Sequence, residues 1–353
     1  MSPRPDGHRP DTLVLGANGF IGRWLTAELL GSGRSVAVGT RSASSARELL
    51  DWLHGHAVPT DRLLPVHADI TLPGLGLDDA TAQALADVRD VYNCAALFRF
   101  GLTRGEAGAA NVDGALNALR WAAGRERLRR AVHISGYRVA GVPGSATGTG
   151  GEDIGRAYRE HGPYEASKRE GHEAVRALAE REGIALSIVS PGSVIGDSTT
   201  GEAGQYIGLA ESVEDLWRGR LPALPGSAAT FVPVVTVDHL ARFLAAVPEH
   251  DTGGPSAHWV LDDRTPHLHA LLRGLADHLG VRAPRVAVPL WLLRRLPRAL
   301  TGVEPETLSF LSEDRYDTAS ADTLARAAGL EHPPVWPALT RWADRLVADR
   351  FGA

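Results

Sequence analysis

The chain has 353 residues, 44% of them hydrophobic and 22% charged, which allows a large buried core and excludes wholesale disorder. A formal net charge of −5 excludes a protein that neutralises nucleic-acid phosphates along a whole face. With one cysteine, Cys94, neither an internal disulfide nor a C-x-x-C metal pair can form, and a reducing cytoplasm fits.

The stretch Met1–Pro10 is polar and Pro-rich, with no apolar segment of a signal peptide, and no uncharged run is long enough to span a bilayer. A cytoplasmic protein without a membrane span is expected. Of the 14 histidines, His54/His56 and His267/His269 stand two apart, but no third ligand follows, so no metal is expected.

Short apolar runs predict strands at Thr12–Leu15, Ser35–Val38, Leu63–Val66, Asp90–Cys94, Ala131–Ser135 and Ala185–Ser190. Helical patterns such as Ile21–Leu30 and Gly171–Glu182 separate them. Such alternation implies right-handed β-α-β crossovers, hence an α/β, Rossmann-like doubly wound parallel sheet. The Gly/Ser/Thr-rich Gly141–Gly155 reads as a mobile loop. Beyond Pro191 the pattern turns irregular, with helices near Val213–Gly219 and Leu268–Leu279, and Phe231–Val237 is expected to rejoin the sheet. Residues 11–192 are therefore expected to form a dinucleotide-binding domain to which 228–262 return, and 193–353 mainly a smaller C-terminal substrate lobe.

Directly after the first strand comes Gly16-Ala17-Asn18-Gly19-Phe20-Ile21-Gly22, opening a helix. Glycines at this spacing allow a tight turn and bring backbone N–H groups to a pyrophosphate at the positive end of that helix. The second strand then runs out at Thr40-Arg41-Ser42, with no acid before Glu48 to take a ribose 2′-hydroxyl. Arg41, assisted by Arg47, would instead pair with a 2′-phosphate, which favours NADP over NAD.

In Tyr164-Glu165-Ala166-Ser167-Lys168 a phenol and an ammonium stand at i and i+4, on one face of a helix. The cation is expected to lower the phenol's pKa, so that Tyr164 exchanges a proton with a carbonyl oxygen at neutral pH, while Lys168 also bonds the nicotinamide ribose.

The glycine loop, the strand-end Ser135 and the Tyr164/Lys168 pair resemble an extended short-chain dehydrogenase/reductase. More narrowly, Asp69–Leu77, Tyr92–Phe98, Asn111–Gly114, Pro191–Gly201 and Phe231–Val235 resemble the thioester-reductase and fatty acyl-CoA reductase branch, the "male sterility" type of NAD-binding domain. The likeness runs from about residue 11 to 245. It implies that Asp69 and Ile70 flank the adenine, that Asn93, Ala95 and Ala96 line the cofactor, and that Pro191, Gly192 and Val194 border the nicotinamide. It also implies hydride transfer from NADPH to an acyl thioester on coenzyme A or a carrier protein. Reduction of a simple ketone or aldehyde (or alcohol oxidation), and a non-catalytic NADP-binding regulator, are the alternatives; a nucleotide-sugar epimerase fits less well with Arg41 where an acid would stand.

The chain departs from the family at His133-Ile134-Ser135-Gly136-Tyr137: Gly136 stands where the family places a Thr that polarises the substrate carbonyl. Ser135, Tyr137 or Ser193 could supply the hydroxyl, and Ser135 is preferred. Elsewhere, Val286–Leu300 mixes Trp and Leu with Arg and reads as a packed helix with a solvated face, and Cys94 as a small buried residue.

Overall fold

Thr12–Leu15, four β-branched or apolar residues in a row, are buried on both faces, the pattern of a central parallel strand. A computed structural model describes residues 9–97, 102–139, 155, 158, 162–293 and 311–352. Its strands are β1 Thr12–Leu15, β2 Val36–Thr40, β3 Leu63–His67, β4 Asp90–Asn93, β5 Arg130–Ile134, β6 Leu186–Pro191, β7 Ser193–Ile195, β8 Leu224–Pro225, β9 Val234–Thr236, β10 Ser256–Val260 and β11 Ala287–Val288. Its helices are α1 Phe20–Gly31, α2 Ala43–Gly55, α3 Asp79–Ala84, α4 Arg104–Gly108, α5 Gly114–Ala123, α6 Gly162–Glu182, α7 Leu209–Trp217, α8 Val237–His250, α9 Leu268–Leu279, α10 Leu290–Leu293, α11 Ala319–Ala327 and α12 Val335–Ala348. A π-helical turn, Ala109–Asp113, joins α4 to α5.

The chain divides into two units, the first comprising residues 1–135, 166–189 and 241–258. It is built on a seven-stranded sheet of order β10-β6-β5-β4-β1-β2-β3, parallel in every pairing from β3 to β6. This is the doubly wound order, with its switch point between β1 and β4, where such folds bind ligands. Leu13, Leu15, Val91 and Ala131 of the sheet pack against Ala115, Ala118 and Leu119 of α5 and Val175 and Leu178 of α6. Each large apolar side chain so buried contributes roughly 1.5–3 kcal/mol.

The second unit comprises residues 136–165, 190–240 and 259–353. Within it β7 pairs with β9 and β8 with β11, both parallel, and helices α7, α9 and α12 enclose a core that includes Val213, Leu216, Leu271, Leu275, Leu339 and Trp342. The Phe231–Val237 run does not rejoin the large sheet. Val234–Thr236 pairs with Ser193–Ile195 instead, and the edge strand beside β6 is Ser256–Val260. Periodicity identifies an apolar strand but not the partner that buries it.

The sequence places Gly171–Glu182 in a helix; α6 begins nine residues earlier, at Gly162, and so carries Tyr164 and Lys168. Gly141–Gly155, except Gly155 itself, and the Arg-bearing part of Val286–Leu300 lie outside the described residues. No helix among the described residues is long and apolar enough to cross a membrane.

Candidate active site

The glycine loop connects β1 to α1. Gly16 has φ +75°, and a Cβ there would stand 2.6 Å from the Ala95 amide nitrogen, so only glycine lets the loop pass the chain leaving β4. Gly22 lies buried against the Gly16 carbonyl. Gly19 is the N-cap of α1, with no side chain bonded to the first-turn amides and no acid in that turn. Phe20 turns its ring into the core while Asn18 and Gly19 border the turn, the Asn18 carbonyl accepting from Arg23 Nη2 at 3.1 Å. The amides from Phe20 to Gly22 therefore form a positive end without an acceptor among the described residues, a cradle that fits the pyrophosphate of a dinucleotide.

At the end of β2, Arg41 is exposed and Ser42 caps α2, its Oγ accepting from the Ser45 amide at 3.1 Å and lying 2.9 Å from Ser44 Oγ. Arg47 is exposed one turn further on. Asp69 sits in an Asx turn, bonded by the amide and hydroxyl of Thr71 at 2.9 and 2.8 Å. Burial opposes its charge, but those bonds and the charges of Arg41 and His67 outweigh it and hold the carboxyl below its ordinary range. The Ile70 carbonyl accepts from Asn117 Nδ2 at 2.9 Å, fixing this edge.

Beyond β4, the buried Asn93 accepts the Ala95 amide at 3.2 Å and reaches His133 Nδ1 with Nδ2, also at 3.2 Å. Ala95 is half-buried and Ala96 exposed. Cys94 is partly covered and lies just past the strand, and desolvation pushes its thiol up to about 12, which disfavours the reactive thiolate.

Asn111 carries a role that the sequence did not assign. In the π-helical turn it accepts the Leu97 amide at 2.9 Å and donates to Ser167 Oγ of α6, also at 2.9 Å. It thereby ties the chain after β4 to the helix that bears Lys168. The fit is close: an ideal Cβ on Gly171 would stand 2.1 Å from the Asn111 carbonyl oxygen.

Lys168 is buried and donates to the Ile134 carbonyl at 3.1 Å, and burial lowers its pKa to about 8. Ser135 Oγ lies 3.0 Å from Nδ1 of His172, which stands one turn after Lys168 on α6. Burial, then the charges of Arg176 and Lys168, push His172 down to about 4, and burial with Lys168 and His172 pushes His133 well down. Burial thus favours the neutral form of both imidazoles. The expected lowering of the Tyr164 pKa does not occur: burial raises it, and the Glu165 carboxylate next to it adds to the rise.

In the second unit, Tyr137 is buried, with its ring edge-on to Tyr316 at 5.2 Å, and burial pushes its phenol above the ordinary range. Pro191 ends β6 and accepts the Tyr137 amide at 3.1 Å, Gly192 donates to the Val260 carbonyl at 3.0 Å, and Val194 lies half-buried in β7. Among the described residues a Cβ at Gly136 would meet nothing nearer than Val139 Cγ2 at 3.6 Å, and the backbone there is not left-handed.

Compared with known proteins, residues 14–244 match the family model described as male sterility protein. Over 231 residues, 60% of the chain, the sequence is 26% identical to an NRPS-like oxidoreductase, fscA, of Fusarium equiseti. The chain spans 20% or less of the length of the curated relatives it matches. Its fold is similar to that of the terminal R domain from the myxalamid PKS-NRPS pathway, with TM-score 0.78, 20% identity and coverage of 98% of this chain and 92% of that one. It is also similar to a thiolation-reductase di-domain from an archaeal non-ribosomal peptide synthetase, with TM-score 0.71, 18% identity and coverage of 98% and 76%.

Proposed function

The chain belongs to the male sterility protein family of NAD-binding domains, and from that premise we infer that it is an NADP-dependent oxidoreductase reducing an acyl thioester to an aldehyde. The observation that carries this reading is Tyr164 and buried Lys168 one turn apart on α6, in a chain whose α1 N-terminus is a phosphate cradle. The first-turn amides of α1, Asp69, Ile70, Asn93 and Ala95 would hold the dinucleotide, with Pro191, Gly192 and Val194 toward its nicotinamide. Arg41, near the Ser42, Ser44 and Ser45 hydroxyls, supports a 2′-phosphate rather than a bare ribose. We assign dinucleotide binding mainly to the first unit, to which 241–258 rather than the whole of 228–262 return, and the substrate mainly to the second.

When bound, the nicotinamide supplies a hydride to the carbonyl carbon. Tyr164, kept protonated by its raised pKa, gives its proton to the carbonyl oxygen. The Lys168 ammonium then stabilises the phenolate, and it would also hold the ribose of the bound dinucleotide. Ser135 donates a hydrogen bond to the same oxygen in place of the missing threonine. The hemithioacetal so formed expels its thiol and leaves the aldehyde. The thiolation domain joined to the reductase in the archaeal neighbour supports a carrier-bound acyl group as substrate.

The test is NADPH oxidation against acyl-CoAs, a carrier-bound acyl group, aldehydes and ketones, with thiol release followed in parallel and the panel repeated with Tyr164→Phe. Thiol released in step with NADPH consumption is expected. Turnover of simple carbonyls alone would leave a ketone or aldehyde reductase, and NADPH binding without turnover a regulator. Unchanged turnover by Tyr164→Phe would remove the catalytic assignment.

A further inference from the structure

The hydroxyl of Ser135 has one hydrogen to give, and His172 Nδ1 stands 3.0 Å from its oxygen in a buried setting. The two roles open to that pair have opposite consequences. With a bare Nδ1, Ser135 must donate into the imidazole and keeps nothing for a substrate. With Nδ1 protonated, the ring donates to Oγ and the hydroxyl's own hydrogen is released for another acceptor.

We propose that His172 is a positioning residue for carbonyl reduction: its Nδ1–H holds Ser135 so that the serine hydrogen is directed at the substrate oxygen. The proposal rests on the reading above that a carbonyl is reduced at Ser135, Tyr164 and Lys168.

Three observations support it. Reduction builds negative charge on the carbonyl oxygen, and only the Nδ1–H arrangement leaves a serine donor to meet it. Gly136 offers no hydroxyl of its own, and of the three candidate hydroxyls Ser135 is the one in the first unit, next to the Ile134 carbonyl that holds Lys168. His172 also stays neutral where Lys168 is charged, because burial and the cations one turn before and one turn after it, Lys168 and Arg176, oppose its protonation. A neutral ring carries a single N–H, so its tautomer dictates where the serine hydrogen points.

The experiment combines a double-mutant cycle with a direct reading of the ring. In the full chain, His172→Leu should lower kcat about 10- to 100-fold, the scale of one misdirected oxyanion donor, with the Kd for NADPH unchanged. His172→Asn, whose side-chain N–H can take the place of Nδ1–H, should keep most of the rate. The double variant Ser135→Ala/His172→Leu should be no slower than Ser135→Ala, because His172 acts only through the serine. Losses that multiply, or a full-rate His172→Leu, would overturn the proposal. ¹⁵N spectra of the histidine-labelled wild-type chain with NADPH, assigned by the signal missing from His172→Asn, should show Nδ1 protonated. An Nε2–H ring would overturn the proposal even if the leucine variant fails to fold. A wild type that binds NADPH but reduces no carbonyl would sink the functional reading instead, and the two failures are told apart.

Discussion

Replacing Gly171 by alanine probes how tightly the catalytic helix is docked. Inside an exposed helix the change would stabilise by about 1 kcal/mol. At Gly171 the new Cβ would stand 2.1 Å from the Asn111 carbonyl oxygen, where real Cβ atoms come no closer than 3.0 Å. Helix α6 must therefore retreat from the π-helical turn by about 1 Å, an overpacking strain of roughly 1–3 kcal/mol that reverses the sign of the helix-propensity gain. The same movement would stretch the 2.9 Å bond from Asn111 to Ser167 and the 3.1 Å bond from Lys168 to Ile134. A displacement of that size at a reacting centre costs on the order of 100-fold in rate. Urea denaturation and kcat/KM with NADPH measure the two effects. Gly105→Ala, in a helix where no described atom outside that helix's own backbone lies within 4 Å of the added Cβ, is the control and should be neutral or slightly stabilising. Wild-type stability and rate in Gly171→Ala would refute the account of α6.

Lys168 also sets a pH dependence. Its ammonium, held at about 8 by burial, is lost as pH rises through that value, so kcat/KM should fall on an alkaline limb near pH 8. The pushed-up Tyr164 and Cys94 do not titrate there, and a profile flat to about pH 10 would contradict the assignment. Arg41→Ala should weaken NADPH binding roughly tenfold, the value of one exposed charge-assisted bond, and leave NADH binding unchanged; calorimetry with both nucleotides decides. Gly136→Thr should fold with nearly wild-type Tm, since among the described residues its Cβ meets only Val139 Cγ2 at 3.6 Å, and in a Ser135→Ala background it should recover part of the lost kcat. A large fall in Tm would show that the strand end cannot accept the family residue.

Much of this was legible in the residues, because local pattern and local chemistry coincide. Thr12–Leu15 is a strand bounded by the glycine turn that ends it, and Tyr164 and Lys168 announce a shared helix face by spacing alone. Asn111 was not assigned, since its importance comes from Leu97 and Ser167, partners 14 and 56 residues away that only the fold assembles. His172 escaped for the same reason: one imidazole among 14 histidines carries no signal until it meets Ser135. The direction of the Tyr164 pKa was misjudged because spacing identifies a neighbouring cation but not how deeply the phenol is desolvated.

The late arrival of β10 has a consequence for biosynthesis. Every residue of β6 is buried, and its outer edge is covered by a strand encoded about 65 residues downstream. At roughly 5–20 residues per second, a ribosome leaves that edge open for several seconds after β6 has emerged. During that interval the nascent chain offers an apolar, unpaired template to any passing strand. Slowed translation between the two segments, or loss of the downstream one, should therefore send newly made chains toward aggregates before they can ever bind nucleotide.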